Sequence, residues 1–158
     1  MPPIDHLEQL GDLFASTAPS ERKRMLVIVN PPRLEVEVDG TPLDAGVSVF
    51  VQNGDPYTYF RTTPIHVADH SRLDSGHLAG ALLTRARFTD MPSIAWRAFS
   101  AKRQVTDAKA ARGFHDVTEV VARSAGDDPI PLQVDGDYIG DVMEARFSVA
   151  PGKLCVVA

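Results

Sequence analysis

The sequence contains no apolar run that is long enough to cross a membrane. Apolar runs such as residues 25–29 and 154–158 have only five residues each, whereas a membrane-spanning helix needs roughly 20. The N-terminus also lacks the basic segment, the apolar stretch and the small-residue cleavage site that mark a protein for secretion. We therefore expect a soluble protein of the cytoplasm.

Cysteine and positive charge are also scarce. The single cysteine, Cys155, has no partner for an intramolecular disulfide and stands in an apolar run, which favours packing over reactivity. The formal net charge of -5 disfavours nucleic acid as a partner, because binding to a duplex depends on a basic surface. The basic cluster at residues 22–24 is more typical of a solvated helix end, although a position beside anionic lipid headgroups stays open.

Hydrophobic periodicity divides the 158-residue chain into two parts. In residues 4–15 apolar side chains recur every three or four positions, which predicts a short amphipathic helix, and a linker extends to residue 24. From residue 25 to residue 158 short strand-like segments alternate with turns, which predicts a mainly β, β-sandwich-like domain. Asp90 and Pro92 mark the start of one helix inside this domain. The predicted strands are residues 25–29, 34–38, 47–51, 65–68, 78–83, 114–122, 132–134, 144–149 and 154–157.

Two Asp-Gly dipeptides predict tight hairpins, because this pair accepts the positive φ angles of a two-residue turn. They are Asp39-Gly40 and Asp135-Gly136, and the residues before them, Val-Glu-Val and Leu-Gln-Val, are alike. Since Asp-Gly is a common way to close a hairpin, this likeness is weak evidence for an internal repeat.

From about Leu34 onwards the order of features resembles the C-terminal domain of the diacylglycerol kinase and bacterial lipid kinase family, which is related to sphingosine kinases and NAD kinases. Residues 131–137, Pro-Leu-Gln-Val-Asp-Gly-Asp, followed by Val-Ala-Pro-Gly at 149–152, are similar to the closing signature of this family. Residues 51–53, 64–65 and 73–78 are similar to its earlier landmarks. The resemblance covers most of the chain.

The resemblance implies a β-sandwich-like domain that packs on an α/β domain, with ATP and a lipid meeting between them. In the family the α/β domain carries a Gly-Gly-Asp-Gly-Thr loop for the nucleotide. Neither Asp-Gly pair of this sequence follows a glycine or begins a helix, so neither forms a phosphate cradle. We therefore expect this chain alone to lack ATP binding and activity, and the complete enzyme to use ATP and Mg²⁺.

The same resemblance implies roles for four polar residues. Asp137 matches the carboxylate that accepts the proton of the lipid hydroxyl as a general base, although the family more often has the longer glutamate there. Asp135 is expected near the same rim, behind the substrate contacts or on the side of a metal ion, and Gln133 and Asn53 are expected beside the substrate. The alternative is that both aspartates only build a surface hairpin.

A magnesium site is also implied, at Arg72, Ser75 and His77. The family binds the ion there with one aspartate side chain and two backbone carbonyls, which are ligands that suit a hard cation. Here Ser75 occupies the aspartate position and the acid is displaced to Asp74, so a plain turn is the alternative. The nearby aromatic cluster, Tyr57, Tyr59 and Phe60, either lines a channel for an acyl chain or packs in the core.

Three functions remain open from the sequence. The first is the lipid-substrate portion of a lipid kinase, whose partners are a diacylglycerol-like lipid with a free hydroxyl and a nucleotide-binding domain. A sphingoid base or a phosphatidylglycerol-type lipid also offers such a hydroxyl. The second function is a non-catalytic module that binds lipid or protein, and the third is an unrelated sandwich that binds carbohydrate or protein. Peripheral membrane contact and self-association are compatible with the first two.

Overall fold

The computed structural model describes residues 32–68, 72, 74–87, 89–100 and 103–150. The predicted helix and linker at 1–24, the predicted strands at 25–29 and 154–157, and Cys155 lie outside these residues. Within the described part the chain is mainly β, as the sequence predicts. Its elements are β1 (Leu34–Val38), β2 (Thr41–Gly46), β3 (Ser48–Gln52), β4 (Thr58–Phe60), β5 (Thr63–Ile65), β6 (Leu78–Leu83), α1 (Met91–Ala98), a 3₁₀-helix (Val105–Asp107), β7 (Ala111–Val117), β8 (Glu119–Ser124), β9 (Ile130–Val134), β10 (Asp137–Val142) and β11 (Glu144–Ser148).

Two antiparallel sheets form the sandwich. One has the strand order β11-β8-β1-β2 and the other β3-β6-β7, while β4–β5 and β9–β10 are separate hairpins. In β1 the buried Leu34 and Val36 alternate with Glu35 and Glu37, which lie toward solvent, as expected for a strand with one covered face. Both sheets contribute to one buried cluster, so the predicted fold class is confirmed. The cluster consists of Leu34, Val36, Leu78, Leu82, Phe114, Val117, Val120, Ala122 and Ile130.

Strand β6 is buried at all six positions because it is the central strand of its sheet. Its Gly80 permits a close approach of the neighbouring strands. A Cβ atom at this position would meet the carbonyl oxygen of Phe50 on β3 and the ring of Phe114 on β7. The lack of a side chain therefore allows β3 and β7 to pack tightly on both sides of β6.

The single strand predicted at residues 114–122 is wrong, since the chain forms two strands there that belong to different sheets. Strand β7 pairs with β6, whereas β8 pairs with β1 and β11. The chain turns between them at Thr118, just after Asp116 adopts a φ of 56°. This corner carries the polypeptide from one layer of the sandwich to the other.

One further prediction needs correction. Residues 66–68 are not part of a strand, and the paired segment is Thr63–Ile65, whose partner is the unpredicted strand β4. Helix α1 begins where Asp90 and Pro92 indicate, and it packs through Ile94 and Ala98, while Trp96 is exposed. No helix among the described residues is both long and apolar enough to span a membrane.

Candidate functional site

An open cleft of about 550 Å³ lies where three segments of the chain meet. Most of its wall is formed by the end of β3 and the loop that leads to β4. The turn between β9 and β10 and a short segment before β6 complete the wall. The lining residues are Val51, Gln52, Asn53, Gly54, Asp55, Pro56, Tyr57, Arg72, Asp74 and Asp135.

The end of β3 and the loop that leads to β4 are fixed by hydrogen bonds to the last residue of β5 and to the segment after it. The buried Gln52 donates from Nε2 to the carbonyl oxygen of Ala68 at 3.0 Å. Both carboxylate oxygens of Asp55 lie 3.0 Å from Nδ1 of His66. The backbone N–H of Tyr57 donates to the carbonyl of Ile65 at 2.9 Å. This wall of the cleft is therefore held at both of its ends.

Tyr57 contributes a half-buried phenol to the cleft. Its ring meets the ring of Phe50 edge to face, with 5.9 Å between centroids. Burial raises the pKa of the Tyr57 hydroxyl above its ordinary value, and the negative charge of Asp135 raises it further. The hydroxyl is therefore protonated at neutral pH, as in an ordinary tyrosine, and stays so to a higher pH, so that it can donate a hydrogen bond beside Asp135.

The two Asp-Gly turns have the same backbone but different surroundings. Asp39 and Asp135 have φ angles of 46° and 52°, and each precedes a glycine of positive φ, as expected for this type of hairpin turn. The Asp39 carboxylate, through Oδ1, accepts hydrogen bonds from the N–H and hydroxyl of Thr118 and from the N–H of Glu119, at 2.9 to 3.0 Å. These bonds lower the pKa of Asp39, with the Thr118 hydroxyl as the largest cause.

Asp135, in contrast, lines the cleft. Its carboxylate has no hydrogen bond and no ion pair with any of the residues that the structure describes. The carboxylate of the first turn is thus used to hold the sandwich corner at Thr118, whereas that of the second turn is available to a molecule in the cleft.

The other residues predicted on this hairpin lie beside the cleft. Asp137 is the exposed first residue of β10 and pairs with Val134, and Gln133 pairs with Tyr138. Because successive strand residues point to opposite faces, Gln133 and Asp137 project from opposite sides of the hairpin. Neither contributes to the wall of the cleft. Of the residues predicted around the substrate, the structure brings Asp135 and Asn53 together, with Arg72 from the predicted metal loop.

The predicted metal loop is closed by its own hydrogen bonds. The Ser75 hydroxyl donates to the carbonyl of Arg72 at 2.8 Å, and the carbonyl of His77 lies 3.5 Å from the same oxygen. Asp74 is held by the Arg72 side chain through two hydrogen bonds of 3.0 and 3.1 Å. No group of three or more acidic, histidine or cysteine side chains suited to a metal occurs within the described ranges.

The oxygen atoms of this loop do not fit the magnesium site that the resemblance implies. The two carbonyl oxygens do converge, but the group between them is a neutral hydroxyl that supplies a proton instead of a carboxylate that would supply negative charge. The only carboxylate of the loop is engaged by a guanidinium. We therefore derive no chemical step through a metal ion in this loop.

Sequence reasoning missed Asp55 as a wall residue, and it left Tyr57 between two interpretations. The turn signal Asn-Gly-Asp-Pro before Tyr57 was the available indication of a loop at a strand end, but only the structure shows that this loop faces Asp135. Core packing is the wrong interpretation for Tyr59 and Phe60, since both side chains are exposed.

Comparisons with known proteins support the fold. No family model matches the sequence, and no curated protein matches it. A crystal structure of a candidate diacylglycerol kinase from Bacillus anthracis str. Sterne matches with a TM-score of 0.52 and 14% identity, over 80% of this chain and 46% of that protein. A second structure of a candidate diacylglycerol kinase from the same strain gives a TM-score of 0.49 at 15% identity, over 77% and 40% of the two chains, which is too low to carry weight.

The chain therefore spans less than half of the solved structures that it matches. At this level of identity the similarity shows a shared fold alone. The described residues have a diacylglycerol-kinase-like fold, as the sequence resemblance implies.

Proposed function

We propose that this chain is the lipid-acceptor portion of a diacylglycerol-kinase-like lipid kinase. The observation that carries the proposal is the contrast between its two Asp-Gly turns. Asp39 is held by Thr118 and Glu119, whereas Asp135 has no such partner among the described residues and lines a cleft. The fold similarity and the order of the sequence signatures support the same conclusion.

The proposed reaction transfers the γ-phosphate of ATP to a lipid hydroxyl. The hydroxyl oxygen attacks phosphorus, the bond to the leaving ADP breaks, and the hydroxyl proton passes to a carboxylate. We assign the proton acceptor to Asp137 and the positioning of the hydroxyl to Asp135, with Tyr57 as a hydrogen-bond donor. Asn53 lies on the same wall as Tyr57, where its amide can orient the headgroup.

In this proposal the nucleotide is held by an α/β domain that is distinct from the described residues. ATP and Mg²⁺ belong to the complete enzyme, and we assign no residue of this chain to either of them. The protein would work in the cytoplasm, at the surface of a membrane that contains its lipid.

The charges of the cleft favour a neutral acceptor. Three carboxylates, those of Asp55, Asp74 and Asp135, face a single arginine, Arg72. These carboxylates repel a negatively charged headgroup. A lipid of the phosphatidylglycerol type is therefore a poorer acceptor than a diacylglycerol, which has no charge. A cationic sphingoid base stays compatible with this arrangement.

The test is phosphorylation of a lipid panel with radiolabelled ATP, using the full chain alone and mixed with the nucleotide-binding domain of a related kinase. Diacylglycerol, a sphingoid base and phosphatidylglycerol form the panel. We expect product only in the mixture, and a loss of about 10²–10⁴-fold in the Asp137→Asn variant, which is typical when a general base is removed. Asp127→Asn is the matched control, because it makes the same chemical change at an exposed residue that does not line the cleft.

A non-catalytic module that binds lipid or protein is the second candidate. The observation that favours it is the metal loop, in which Ser75 and the Arg72–Asp74 pair replace a cation site. This candidate predicts lipid binding by the wild-type chain without product in any mixture, and no difference between Asp137→Asn and the wild type.

A further inference from the structure

A group of exposed aromatic and arginine side chains lies at the tip of the β4–β5 hairpin, on helix α1 and in the segment that follows the helix. We call it the aromatic–arginine surface and define it as Phe60, Arg61, Trp96, Phe99 and Arg103. The side chains of the three aromatic residues are unusually accessible for their size, with relative exposures of 59% for Phe60, 61% for Trp96 and 47% for Phe99.

The fold holds these residues together. The N–H of His66, just after β5, donates to the carbonyl of Ala98 at the end of α1, at 2.9 Å. The rings of Phe60 and Phe99 then meet edge to face, with 6.1 Å between centroids. Phe99 directly follows the helix and still donates its N–H to the carbonyl of Ala95, so Trp96 and Phe99, three residues apart, lie on the same side of it.

The two arginines lie over the aromatic rings. The guanidinium carbon of Arg61 is 5.9 Å from the centroid of Phe60, and that of Arg103 is 5.8 Å from the centroid of Trp96. These are distances at which a cation is attracted to the face of a ring. Positive charge and apolar surface therefore alternate within one small area.

Packing of the domain does not account for this surface. Helix α1 contacts the core through Ile94 and Ala98, which lie on its other side. Apart from the edge contact between Phe60 and Phe99 and the two arginines over Phe60 and Trp96, about half or more of each aromatic residue remains accessible to solvent. Exposed apolar groups of this kind are typical of surfaces that meet another molecule.

The local charge is opposite to that of the whole protein. Residues 84–107 contain five basic side chains and two acidic ones, and residues 57–66 contain Arg61 and no acidic residue. The complete chain has a net charge of -5. An anionic surface is therefore attracted at this face and repelled elsewhere, which fixes the orientation in which the protein can approach it.

We propose that the aromatic–arginine surface docks on membranes that contain anionic phospholipids. Aromatic rings, tryptophan above all, favour the boundary between headgroups and acyl chains, and arginines beside them favour negatively charged headgroups. The inference goes beyond the proposed function, since binding to a bilayer requires neither ATP nor the cleft. It also assigns a role to the one α-helix that the described part of the chain contains.

The fold connects this surface to the cleft. Tyr57, at the cleft, and Phe60 are three residues apart along the start of the same hairpin, which corresponds to about 10 Å of extended chain. A lipid whose acyl chains remain in the bilayer at Phe60 therefore needs to raise its headgroup by only a short distance to reach Tyr57.

The experiment uses the natural fluorescence of Trp96, which is the only tryptophan of the sequence. The full chain is titrated with phosphatidylcholine vesicles and with vesicles of three parts phosphatidylcholine to one part phosphatidylserine. We expect a blue shift of the emission with the anionic vesicles, and its reversal by salt, which screens charge. Arg61→Glu should weaken binding by at least about fivefold, the effect of one arginine near an anionic surface. Phe60→Ala should also weaken it.

Two matched controls lie outside the surface. Ile139→Ala removes a side chain as exposed as that of Trp96, and Arg33→Glu makes the same change of charge as Arg61→Glu. Both should bind like the wild type, and circular dichroism checks that every variant is folded. The proposal is overturned if neither vesicle shifts the emission, if the shift is the same without phosphatidylserine, or if the controls lose as much affinity. It is also overturned if Phe60→Ala abolishes a dimer in light scattering, because the surface is then covered by a second copy.

Discussion

The two Asp-Gly turns permit a paired substitution that separates structure from function. Asp39→Asn and Asp135→Asn are the same chemical change at two turns of nearly identical backbone. Asp39 accepts three hydrogen bonds at the corner between the sheets, whereas Asp135 accepts none from the described residues. We therefore expect Asp135→Asn to change the free energy of unfolding by less than about 0.5 kcal/mol, as is usual for surface substitutions. Asp39→Asn keeps an oxygen that can accept these bonds but removes the charge that strengthens them, so it should be more destabilising than Asp135→Asn.

The dependence of stability on pH should differ in the same way. The hydrogen bonds from Thr118 and Glu119 lower the pKa of Asp39 from its ordinary value of 3.8. A carboxyl group whose pKa is lower in the folded than in the unfolded state stabilises the protein above the unfolded pKa, and this contribution is lost as the pH falls through the folded pKa. The Asp39→Asn variant should therefore be less stable than the wild type above pH 3.8. The difference in the free energy of unfolding should shrink as the pH falls below this value.

The assay is urea denaturation followed by circular dichroism, at a series of pH values between neutrality and the acid limit of the folded state. If the free energy of unfolding falls with urea concentration at the same slope in the wild type and both variants, their midpoint urea concentrations can be compared directly. The reasoning is refuted if Asp135→Asn is as destabilising as Asp39→Asn, because the second aspartate would then also be structural. A pH profile of Asp39→Asn that runs parallel to that of the wild type would refute the assigned cause of the pKa shift.

Two further substitutions test the packing of β6 and the hydrogen bonds of the predicted metal loop. Gly80→Ala should destabilise the protein by about 1–3 kcal/mol, because the added methyl group meets the Phe114 ring and the carbonyl oxygen of Phe50. Urea denaturation measures this change. The control is Gly126→Ala, which should be much less destabilising because its Cβ meets nothing within 4 Å. Ser75→Asp should place a carboxylate between the two convergent carbonyls and make the melting temperature rise with added Mg²⁺; a wild-type protein that responds equally to Mg²⁺ would contradict the role given to the hydroxyl.

Local rules account for the parts of the fold that were predicted correctly. Strands β1 and β9 end at Asp-Gly pairs, and the requirement for positive φ at both turn positions is met by these two residue types without help from the rest of the chain. Helix α1 begins after Asp90 because Pro92 is suited to the first turn of a helix. In each case the decisive residues are neighbours in the sequence.

The corner at Thr118 depended on a distant residue. Residues 114–122 contain valine and threonine, which favour an unbroken strand. The chain nevertheless turns at Thr118, where its backbone N–H and hydroxyl bond to Asp39, which is 79 residues earlier in the sequence. Local propensity contains no information about that acceptor, so the single predicted strand was wrong for a physical reason.

The candidate site was predictable to the extent that its residues follow sequence signatures. Asp135 and Asn53 were expected near the substrate, and the structure brings them to one cleft. Asp55 and the orientation of Tyr57 were not predictable, because they depend on the hydrogen bonds that fix the loop to His66 and Ile65. The assignment of Asp137 as the proton acceptor stays a prediction.

The β4–β5 hairpin connects the two proposals while leaving their tests independent. Its first strand follows Tyr57, which lines the cleft, and its tip carries Phe60 and Arg61, which belong to the aromatic–arginine surface. Phe60→Ala should therefore weaken vesicle binding and lower phosphorylation of lipid in vesicles, but should leave phosphorylation of a short-chain, water-soluble diacylglycerol unchanged. Asp137→Asn should show the opposite pattern, with intact vesicle binding and loss of product from both lipids. If Phe60→Ala impaired both lipids equally, the hairpin tip would act on the cleft itself, and the membrane role assigned to it would be wrong.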